Sequence, residues 1–391
     1  MKQVTLSMLA SLFVLPGLCV AVSLLDNWHW NLPSHIPLPR IPVDNPMSVE
    51  KVELGRYLFY DKRLSGNRTL SCASCHKQAL AFTDGRARSV GSTGELTQRN
   101  APSLANSAWH ATYNWANPAL FSLEQQMEIP LFSDDPIEMG ITDTNRKEIL
   151  DRLRKDPIYP PLFQKSFPEE KDPLTMASVI KAISAFQRSI VSVNSRFDRY
   201  VQGKAVFNPS EERGMRLFFS EKAECHHCHG SFNFNDQVVR KNSRLLEQFF
   251  HNNGLYNIDG KGGYPYPNRG LYENTAKPED MGAFRAPSLR NVEVTGPYMH
   301  DGSVATLEEV IKHYSQGGRV IVSGQNQGDG RLNPYKSSLI SKLNLTEEEM
   351  QDLLAFLKTL TDETLLSDSR FANPWEQETV DMAHPARENP P

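Results

Sequence analysis

Two cysteine–histidine motifs carry the plainest chemistry in this sequence. Each has two cysteines separated by two residues, with a histidine directly after the second cysteine; they are Cys72-Ala73-Ser74-Cys75-His76 and Cys225-His226-His227-Cys228-His229. Two thiols at this spacing reach the two vinyl groups of a haem, and the adjacent histidine ligates the iron. A lone motif of this kind also suits zinc or thiol redox chemistry, but two copies favour two covalently bound haem c groups. His226 and His227 are expected to face solvent or the haem edge, and no role is assigned to them.

The N-terminus is typical of an export signal. Lys2 is followed by an apolar run from Met8 to Val22, and small residues precede a cleavage point after Ala21. We therefore predict a signal peptide over residues 1–21 and a periplasmic location. The alternative is an uncleaved membrane anchor, because Val4 to Leu25 is long enough to span a bilayer.

Composition and cysteine usage agree with an exported globular protein. The 391 residues are 39% hydrophobic and carry a formal net charge of −4, so no basic field indicates a nucleic-acid partner or an anionic membrane surface. Removal of Cys19 with the signal would leave four of the five cysteines, all in the two motifs. No thiol would then remain for a disulfide.

Similar elements must deliver both motifs, because a similar segment precedes each. These segments are Gly55-Arg56-Tyr57-Leu58-Phe59-Tyr60 and Gly214-Met215-Arg216-Leu217-Phe218-Phe219. Each predicts a helix with a glycine where a second helix can cross closely. Further helices are predicted over residues 175–193 and after a capping box of Thr346 and Glu349. Residues 232–284 read as long ordered loops, and no run of alternating strands occurs, so the predicted fold is mainly α with two cytochrome c-like domains.

The domain limits follow from these elements and from proline content. We predict a proline-rich extended arm over 22–46, rather than packed structure, and an N-terminal cytochrome c domain over 47–205. A C-terminal cytochrome c domain follows over 206–371. The tail over 372–391 is not expected to be helical from Pro374 onward.

Several further segments make the chain resemble the bacterial di-haem cytochrome c peroxidase/MauG superfamily over about residues 45–365. They are Leu64-Ser65-Gly66-Asn67, Phe82-Thr83-Asp84, Arg99-Asn100-Ala101-Pro102, Phe284-Arg285-Ala286-Pro287-Ser288-Leu289-Arg290-Asn291-Val292 and Thr295-Gly296-Pro297-Tyr298-Met299-His300-Asp301-Gly302. The resemblance implies two haem irons ligated by His76 and His229, with the peroxidatic haem in the N-terminal domain and the second haem in the C-terminal domain.

The resemblance also implies a sixth ligand for the second haem at Tyr314, where classical peroxidases of the family carry methionine. A phenolate is a hard anionic donor that favours oxidised iron, whereas a thioether raises the potential. The alternative is that Tyr314 is a packed aromatic and that His313 or Met299 ligates.

The first haem is expected to be open on its distal side. Classical relatives carry a distal histidine where this chain has the stretch from Ser89 to Gly94, which holds no histidine, methionine or lysine. By resemblance, Glu138 would move the peroxide proton as a general acid–base, and Gln126 (or Gln125) would hydrogen-bond the bound oxygen. Pro130 would restrict the room above the iron.

Two other roles come from the same resemblance. Trp115 aligns with the tryptophan that relays oxidising equivalents between the haems; the alternative is a large core aromatic. Asn100, Thr295 and Pro297 match positions that bind a calcium ion between the domains, through oxygen donors suited to a hydrated cation.

The implied function is MauG-like oxidation of a residue on a partner protein by hydrogen peroxide through a high-valent haem pair. The segments around Trp115, Leu123 and Gly254 look closest to the MbnH-type branch, whose members resemble an enzyme that converts a tryptophan of a copper-binding periplasmic protein to kynurenine. Ala223 stands where MauG has a surface-relay tryptophan, which agrees with a different partner. The alternatives are a cytochrome c peroxidase fed by a small cytochrome or cupredoxin, and a pure electron carrier.

Overall fold

The structure, a computed structural model, describes residues 28–376. The predicted signal or anchor, Cys19 and the tail beyond residue 376 lie outside the described residues. The fold is mainly helical, as predicted; the helices are α1 Val49–Tyr60, α2 Leu123–Phe132, α3 Arg146–Arg154, α4 Tyr159–Ser166, α5 Met176–Ser189, α6 Arg196–Val201, α7 Pro209–Phe218, α8 His226–His229, α9 Tyr272–Thr275, α10 Leu307–Ser315 and α11 Glu347–Lys358. The antiparallel strands β1 Val320–Ile321 and β2 Gly328–Asp329 form a two-stranded sheet. Between residues 28 and 376, no helix is long and apolar enough to cross a membrane.

The first motif is carried by a helix pair, α1 and α5. A Cβ at Gly55 would lie 2.0 Å from the carbonyl oxygen of Ala182, so only glycine lets the two backbones approach this closely. Phe59 and Phe186 meet at the crossing with ring centroids 5.1 Å apart. This pair forms the centre of the first apolar core.

The second motif is carried by an equivalent pair, α7 and α11. A Cβ at Gly214 would lie 1.9 Å from the carbonyl oxygen of Asp352, and Phe218 packs against Phe356 in the second core. The two glycines predicted as close helix crossings are therefore confirmed. The internal repeat corresponds to two similar helix pairs with separate cores.

The predicted helix ends are partly correct. Thr346 and Glu349 form the predicted capping box at the start of α11. The helix predicted over residues 175–193 ends at Ser189, because Ile190 leaves helical backbone angles and the chain continues extended. The apolar pattern continued past the helix because Ile190 is buried in the same core as the helix.

The two apolar cores indicate where the N-terminal domain ends and the C-terminal domain begins. Phe197 and Tyr200, both on α6, pack with the second core, although the predicted N-terminal domain runs to residue 205. Leu365 and Phe371, near the C-terminus, belong to the first core. We therefore propose a boundary near residue 195 and a return of residues 365–376 to the first domain.

The predicted arm is extended over its described part, residues 28–46, but it is also packed. The carbonyl oxygen of Pro37 accepts a hydrogen bond of 2.8 Å from the indole of Trp109, and Ile36 is buried beside that ring. Leu38 accepts a backbone hydrogen bond from Lys241. Proline content predicted the extended backbone but not this packing, which depends on residues distant in the sequence.

The tail prediction is wrong at its start. Residues 374–376 have helical backbone, and the indole of Trp375 donates to the carbonyl of Tyr57 at 3.2 Å. Pro374 is compatible with this because proline is tolerated in the first turn of a helix. The long predicted loop region over 232–284 is irregular apart from the one-turn helix α9 and a short 3-10 helix, Pro278–Asp280.

Candidate functional site

The first motif forms a tight turn that exposes its histidine for ligation. Cys72 begins a short 3-10 turn that ends at Cys75, and neither thiol is in a disulfide. The Nδ1 atom of His76 donates to the carbonyl oxygen of Phe82 at 2.7 Å. This bond fixes the ring and its tautomer, so that Nε2 is the atom left to bind a metal.

The second motif repeats this arrangement on a different backbone. His229 ends the one-turn helix α8, and its Nδ1 atom donates to the carbonyl oxygen of Phe234 at 2.8 Å. Phe82 and Phe234 both have left-handed backbones, with φ of 64° and 51°. The shared turn aims a carbonyl at the histidine in both halves, which is the support that a ligating histidine needs.

The residues present fit a haem at the second motif. Cys225, Cys228 and His229 line a largely apolar cavity. At its wall, Arg285 and His110 are buried, and Arg285 Nε and His110 Nε2 have no hydrogen-bond partner within residues 28–376. Among the described residues Arg285 has no carboxylate in ion-pair contact, and burial lowers its pKa to about 10. A buried guanidinium requires an anion to balance its charge, and the carboxylates of a haem would be suitable partners for Arg285.

Two of the three candidate sixth ligands line the same cavity. Tyr314 and Met299 both line it, and the Asn253 amide nitrogen lies 3.4 Å from the Tyr314 hydroxyl and 3.4 Å from the Met299 sulfur. His313 is directed elsewhere, because its Nε2 atom bonds to the Asn253 carbonyl at 3.0 Å. Burial raises the pKa of Tyr314 to about 12, so a phenolate here needs a cation beside it.

Glu138 lies near the first motif, and burial alone raises its pKa to about 7. Its charge is felt at the thiols of Cys72 and Cys75, whose pKa values are raised mainly by burial and to a smaller extent by Glu138. A carboxyl group with a pKa near neutrality can both accept and donate a proton under physiological conditions.

The stretch from Ser89 to Gly94, which lacks a ligand, supports Glu138 instead. The Ser92 amide donates to the Glu138 carbonyl at 2.8 Å, and a Cβ at Gly91 would lie 1.8 Å from the carbonyl oxygen of Ile137. The Glu95 carboxylate accepts a bond of 2.9 Å from the Ile137 amide. The loop therefore holds the backbone that carries Glu138.

Helix α2 supplies the other predicted distal residues. Gln125 is engaged locally, since its side-chain oxygen accepts from the Phe121 amide at 3.1 Å. The Gln126 side-chain oxygen, in contrast, is buried without a hydrogen-bond partner in the part of the chain that the structure describes. Of the two glutamines, Gln126 is the one that still needs a hydrogen bond. The Met139 amide donates to the carbonyl of Pro130 at 2.9 Å, which brings the Glu138 segment back against α2 despite the long spacing between them.

Trp115 is buried where the two halves meet. Its indole donates to the carbonyl oxygen of Asn100 at 2.8 Å, and its own carbonyl accepts from the Arg285 amide at 3.0 Å. Trp115 also lines the cavity that holds the second motif. It thus contacts segments from both sides of the proposed domain boundary.

The predicted calcium residues Asn100, Thr295 and Pro297 line this same cavity. The side-chain nitrogen of Asn100 donates a hydrogen bond to the carbonyl of Arg86 at 2.8 Å. The side-chain oxygen of Asn100 is therefore left as the atom suited to bind a cation.

Three residues of the site had no assigned role in the sequence. Arg285 lies in one of the segments that carry the family resemblance. A charged residue among apolar neighbours was the sequence signal that it is buried and has a functional role. His110 and Asn253 lie in irregular segments with no local pattern, so only the fold brings them to the cavity.

The fold and the two motifs define a c-type cytochrome with two haem-binding halves. A sequence profile of the family described as di-haem cytochrome c peroxidase matches residues 49–206. The chain is 38% identical to cytochrome-c peroxidase IdrP1 of Denitromonas iodatirespirans, over 85% of this chain and 88% of that protein. It is 34% identical to methylamine utilization protein MauG of Methylorubrum extorquens, over 85% of this chain and 83% of that protein.

Solved structures agree. A crystal structure of a MauG-like protein associated with microbial copper homeostasis is 61% identical, covers 89% of this chain and 99% of its own, and superposes with a TM-score of 0.88. The chain belongs to the di-haem cytochrome c peroxidase family, which includes MauG. It is a di-haem oxidoreductase, and the prediction of two haem cofactors follows from membership. A role as a pure electron carrier is therefore excluded.

Proposed function

We propose that the protein is exported to the periplasm and uses hydrogen peroxide to oxidise a residue of a partner protein. When bound, the two haems supply the redox chemistry that transfers electrons from the substrate to peroxide. The residue that carries the proposal is Tyr314, which lines the cavity of the second motif together with Cys225, Cys228 and His229. A phenolate in that cavity favours the oxidised metal, as removal of electrons from a protein residue requires.

The first half would manage the protons of peroxide. Glu138, with its pKa near 7, would accept a proton from one peroxide oxygen and return it to the other as the bond between them breaks. Gln126 would hydrogen-bond the peroxide, and Pro130 on the same helix would limit the space above the iron. The loop over residues 89–97 would keep the Glu138 backbone in place during turnover.

The route between the halves would run through Trp115, because it contacts both. The Asn100 carbonyl fixes the indole of Trp115. The backbone amide of Asn100 in turn donates a hydrogen bond to the carbonyl of His300, in the second half. A calcium ion held by Asn100, Thr295 and Pro297 would tie the same segments together. Removal of calcium by a chelator should therefore weaken communication between the halves before it affects haem attachment.

The partner is proposed to be a copper-binding periplasmic protein, and tryptophan is the residue proposed to be converted, to kynurenine. The support is the likeness, at 61% identity, to a MauG-like protein associated with microbial copper homeostasis. Kynurenine formation replaces one carbon of the indole by oxygen, so the product is recognised by its mass.

The experiment incubates the holoprotein and peroxide with the product of a neighbouring gene that encodes an exported copper-binding protein, and follows that product by peptide mass spectrometry. We expect a peroxide-dependent mass change at one residue with the wild type and with Tyr266→Phe, a control at an exposed tyrosine. Tyr314→Phe should keep both haems, because Cys225, Cys228 and His229 are unchanged, and should leave the partner unmodified while peroxide is still consumed. Full modification by Tyr314→Phe would contradict the proposal.

A second candidate function is that of a cytochrome c peroxidase that draws electrons from a small cytochrome or cupredoxin. The observation that favours it is Met299, whose sulfur lines the same cavity and lies as close to Asn253 as the Tyr314 hydroxyl does. Rapid peroxide-dependent oxidation of a reduced small cytochrome, unaffected by Tyr314→Phe and lost in Met299→Leu, would support this candidate instead.

A further inference from the structure

Four side chains next to the second haem motif form a cluster that has no part in the proposed reaction. We call Glu221, Glu224, His226 and His227 the attachment-loop cluster. The two histidines are the residues between Cys225 and Cys228, and the two glutamates come from the turn just before the motif.

Donor atoms of Glu221, His226 and His227 lie within 4.8 Å of one another. His226 Nε2 lies 3.6 Å from one carboxylate oxygen of Glu221, and His227 Nε2 lies 3.4 Å from the other. His227 Nε2 is also 2.8 Å from a carboxylate oxygen of Glu224. The ring centroids of the two histidines are 4.2 Å apart, so both imidazoles lie on the same side of the motif.

The backbone explains this convergence. The Ser220 carbonyl accepts from both the Ala223 and the Glu224 amides, which closes a turn and brings Glu221 and Glu224 to one side. Glu224 then adopts a left-handed conformation, with φ of 57°, immediately before Cys225. The turn thereby directs the side chains of Glu221 and Glu224 at the start of α8, where the two histidines lie.

We propose that the attachment-loop cluster binds a divalent transition-metal ion. Two imidazole nitrogens and two carboxylate oxygens are a common donor set for such ions, which bind each donor at about 2.0–2.2 Å. Donors around one ion at that distance are roughly 3–3.5 Å apart in square-planar or tetrahedral arrangements. The observed separations of 2.8, 3.4 and 3.6 Å fall close to that range.

The cluster is accessible to an ion from solvent. The side chains of His226 and His227 are 25% and 33% exposed, and that of Glu221 is 79% exposed. Calcium and magnesium prefer all-oxygen sites, so the imidazoles select against them. Among first-row ions, Cu²⁺ binds nitrogen and oxygen donors most tightly, followed at a distance by Zn²⁺ and Ni²⁺. Cu²⁺ is therefore the ion that the site would take first.

The site would lie beside the attachment of the second haem. His226 and His227 are flanked in sequence by the two cysteines that bind the haem covalently, so an ion held by them is close to that haem and farther from the first. A paramagnetic Cu²⁺ should consequently speed the spin relaxation of one ferric haem signal more than the other. This proposal does not rest on the identity of the protein substrate.

The test titrates the oxidised holoprotein with Cu²⁺ and follows binding by calorimetry and by EPR. We expect one tight equivalent per chain, a Cu²⁺ spectrum with nitrogen hyperfine structure, and faster relaxation of one haem signal. His226→Gln/His227→Gln should weaken binding more than about ten-fold. The matched control is His29→Gln/His35→Gln, at two exposed histidines outside the cluster, which should bind as the wild type does.

A second variant keeps the haem motif intact, in case changes between the cysteines impair haem attachment. Glu221→Gln should also weaken Cu²⁺ binding, whereas Glu247→Gln, at an exposed glutamate elsewhere, should not. The proposal is overturned if the wild type and Glu221→Gln bind Cu²⁺ equally, or if no tight equivalent is found. Ion pairs within the cluster would then be its whole role.

Discussion

At the scale of single residues, the site is defined by polar atoms that are placed but not yet paired. Arg285 Nε, His110 Nε2 and the Gln126 side-chain oxygen are all buried without a hydrogen-bond partner among the described residues. Buried polar atoms of this kind are costly unless a ligand satisfies them. His76 and His229 show the complementary case, because each has one ring nitrogen fixed by a carbonyl and the other left for iron.

The raised pKa of Glu138 leads to a prediction about pH. If the ionised carboxylate takes the first peroxide proton, the rate of reaction with peroxide should rise as pH increases through about 7 and then level off. The glutamine in Glu138→Gln cannot ionise. The rate of this variant with peroxide should therefore be lower by at least about 100-fold and should not change with pH over this range. Rapid mixing with peroxide from pH 5 to about 9, followed by haem absorbance, measures both.

The matched control is Glu128→Gln, an exposed glutamate on α2. It should keep the wild-type rate and pH profile. An ionisation near 7 that persists in Glu138→Gln would assign the proton transfer to another group.

At the scale of elements, the two helix pairs are held at short range by glycine. The crossings at Gly55 and Gly214 bring a backbone carbonyl of the partner helix to within 2.0 and 1.9 Å of where a Cβ would be. Each crossing fixes the helix that leads into a haem motif. The geometry of each haem motif thus depends on a close contact between the backbones of two helices.

We predict that Gly214→Ala destabilises the holoprotein by about 1–3 kcal/mol, because α7 and α11 must move apart and their packed aromatic residues with them. This loss exceeds the gain of about 1 kcal/mol in helix propensity that alanine would bring at an open position. Denaturant unfolding monitored by circular dichroism measures the change. Arg216→Ala, at an exposed position of the same helix, should change stability by less than about 0.5 kcal/mol; an equal loss in both would refute the crossing argument.

At the scale of the whole molecule, the chain joins its halves by segments that cross between cores. Residues 365–376 return to the first core, where Gln78 donates to the carbonyls of Leu365 and Asp368. In the second half, Arg290 forms a buried ion pair with Asp198 at 2.8 Å and also donates to the Phe232 carbonyl. That pair connects α6, just past the proposed boundary, to the loops around the second haem motif.

Loss of this ion pair should be costly. Asp198→Asn leaves the Arg290 guanidinium buried without its counter-charge, and we expect a loss of about 3–5 kcal/mol. Asp368→Asn removes the more exposed pair with Arg370 and should cost less than about 1 kcal/mol. Thermal and denaturant unfolding of the two variants distinguishes them, and equal stability would refute the role assigned to the pair.

The pH dependence of this contribution has a definite sign. Burial opposes ionisation of Asp198, but the Arg290 guanidinium outweighs it and lowers the carboxyl pKa below the ordinary value of 3.8. The contribution of Asp198 is therefore fully present above the unfolded pKa and is lost as pH falls through the lower folded value. The difference between wild type and Asp198→Asn should be constant near neutrality and shrink only below about pH 4.

The sequence by itself determined those features whose residues are neighbours along the chain. Cys72, Cys75 and His76 are close enough in sequence for covalent chemistry to dictate their spacing, and the same holds for the second motif. The capping box at Thr346 and the helix ahead of each motif are also local, because propensity and hydrogen bonding act within a few residues.

Only the tertiary structure decided which distant residues meet. Arg285 is buried beside His110, Asn253 meets Tyr314 and Met299 in the cavity, and Phe371 returns to the first core. In each case the residues that meet lie far apart in the sequence. The convergence of Glu221 with His226 and His227 spans few residues, yet it depends on a left-handed turn at Glu224 that no sequence pattern predicted. The physical reason is the same in each case: apolar burial and close packing select these contacts, and both depend on the whole fold rather than on local sequence.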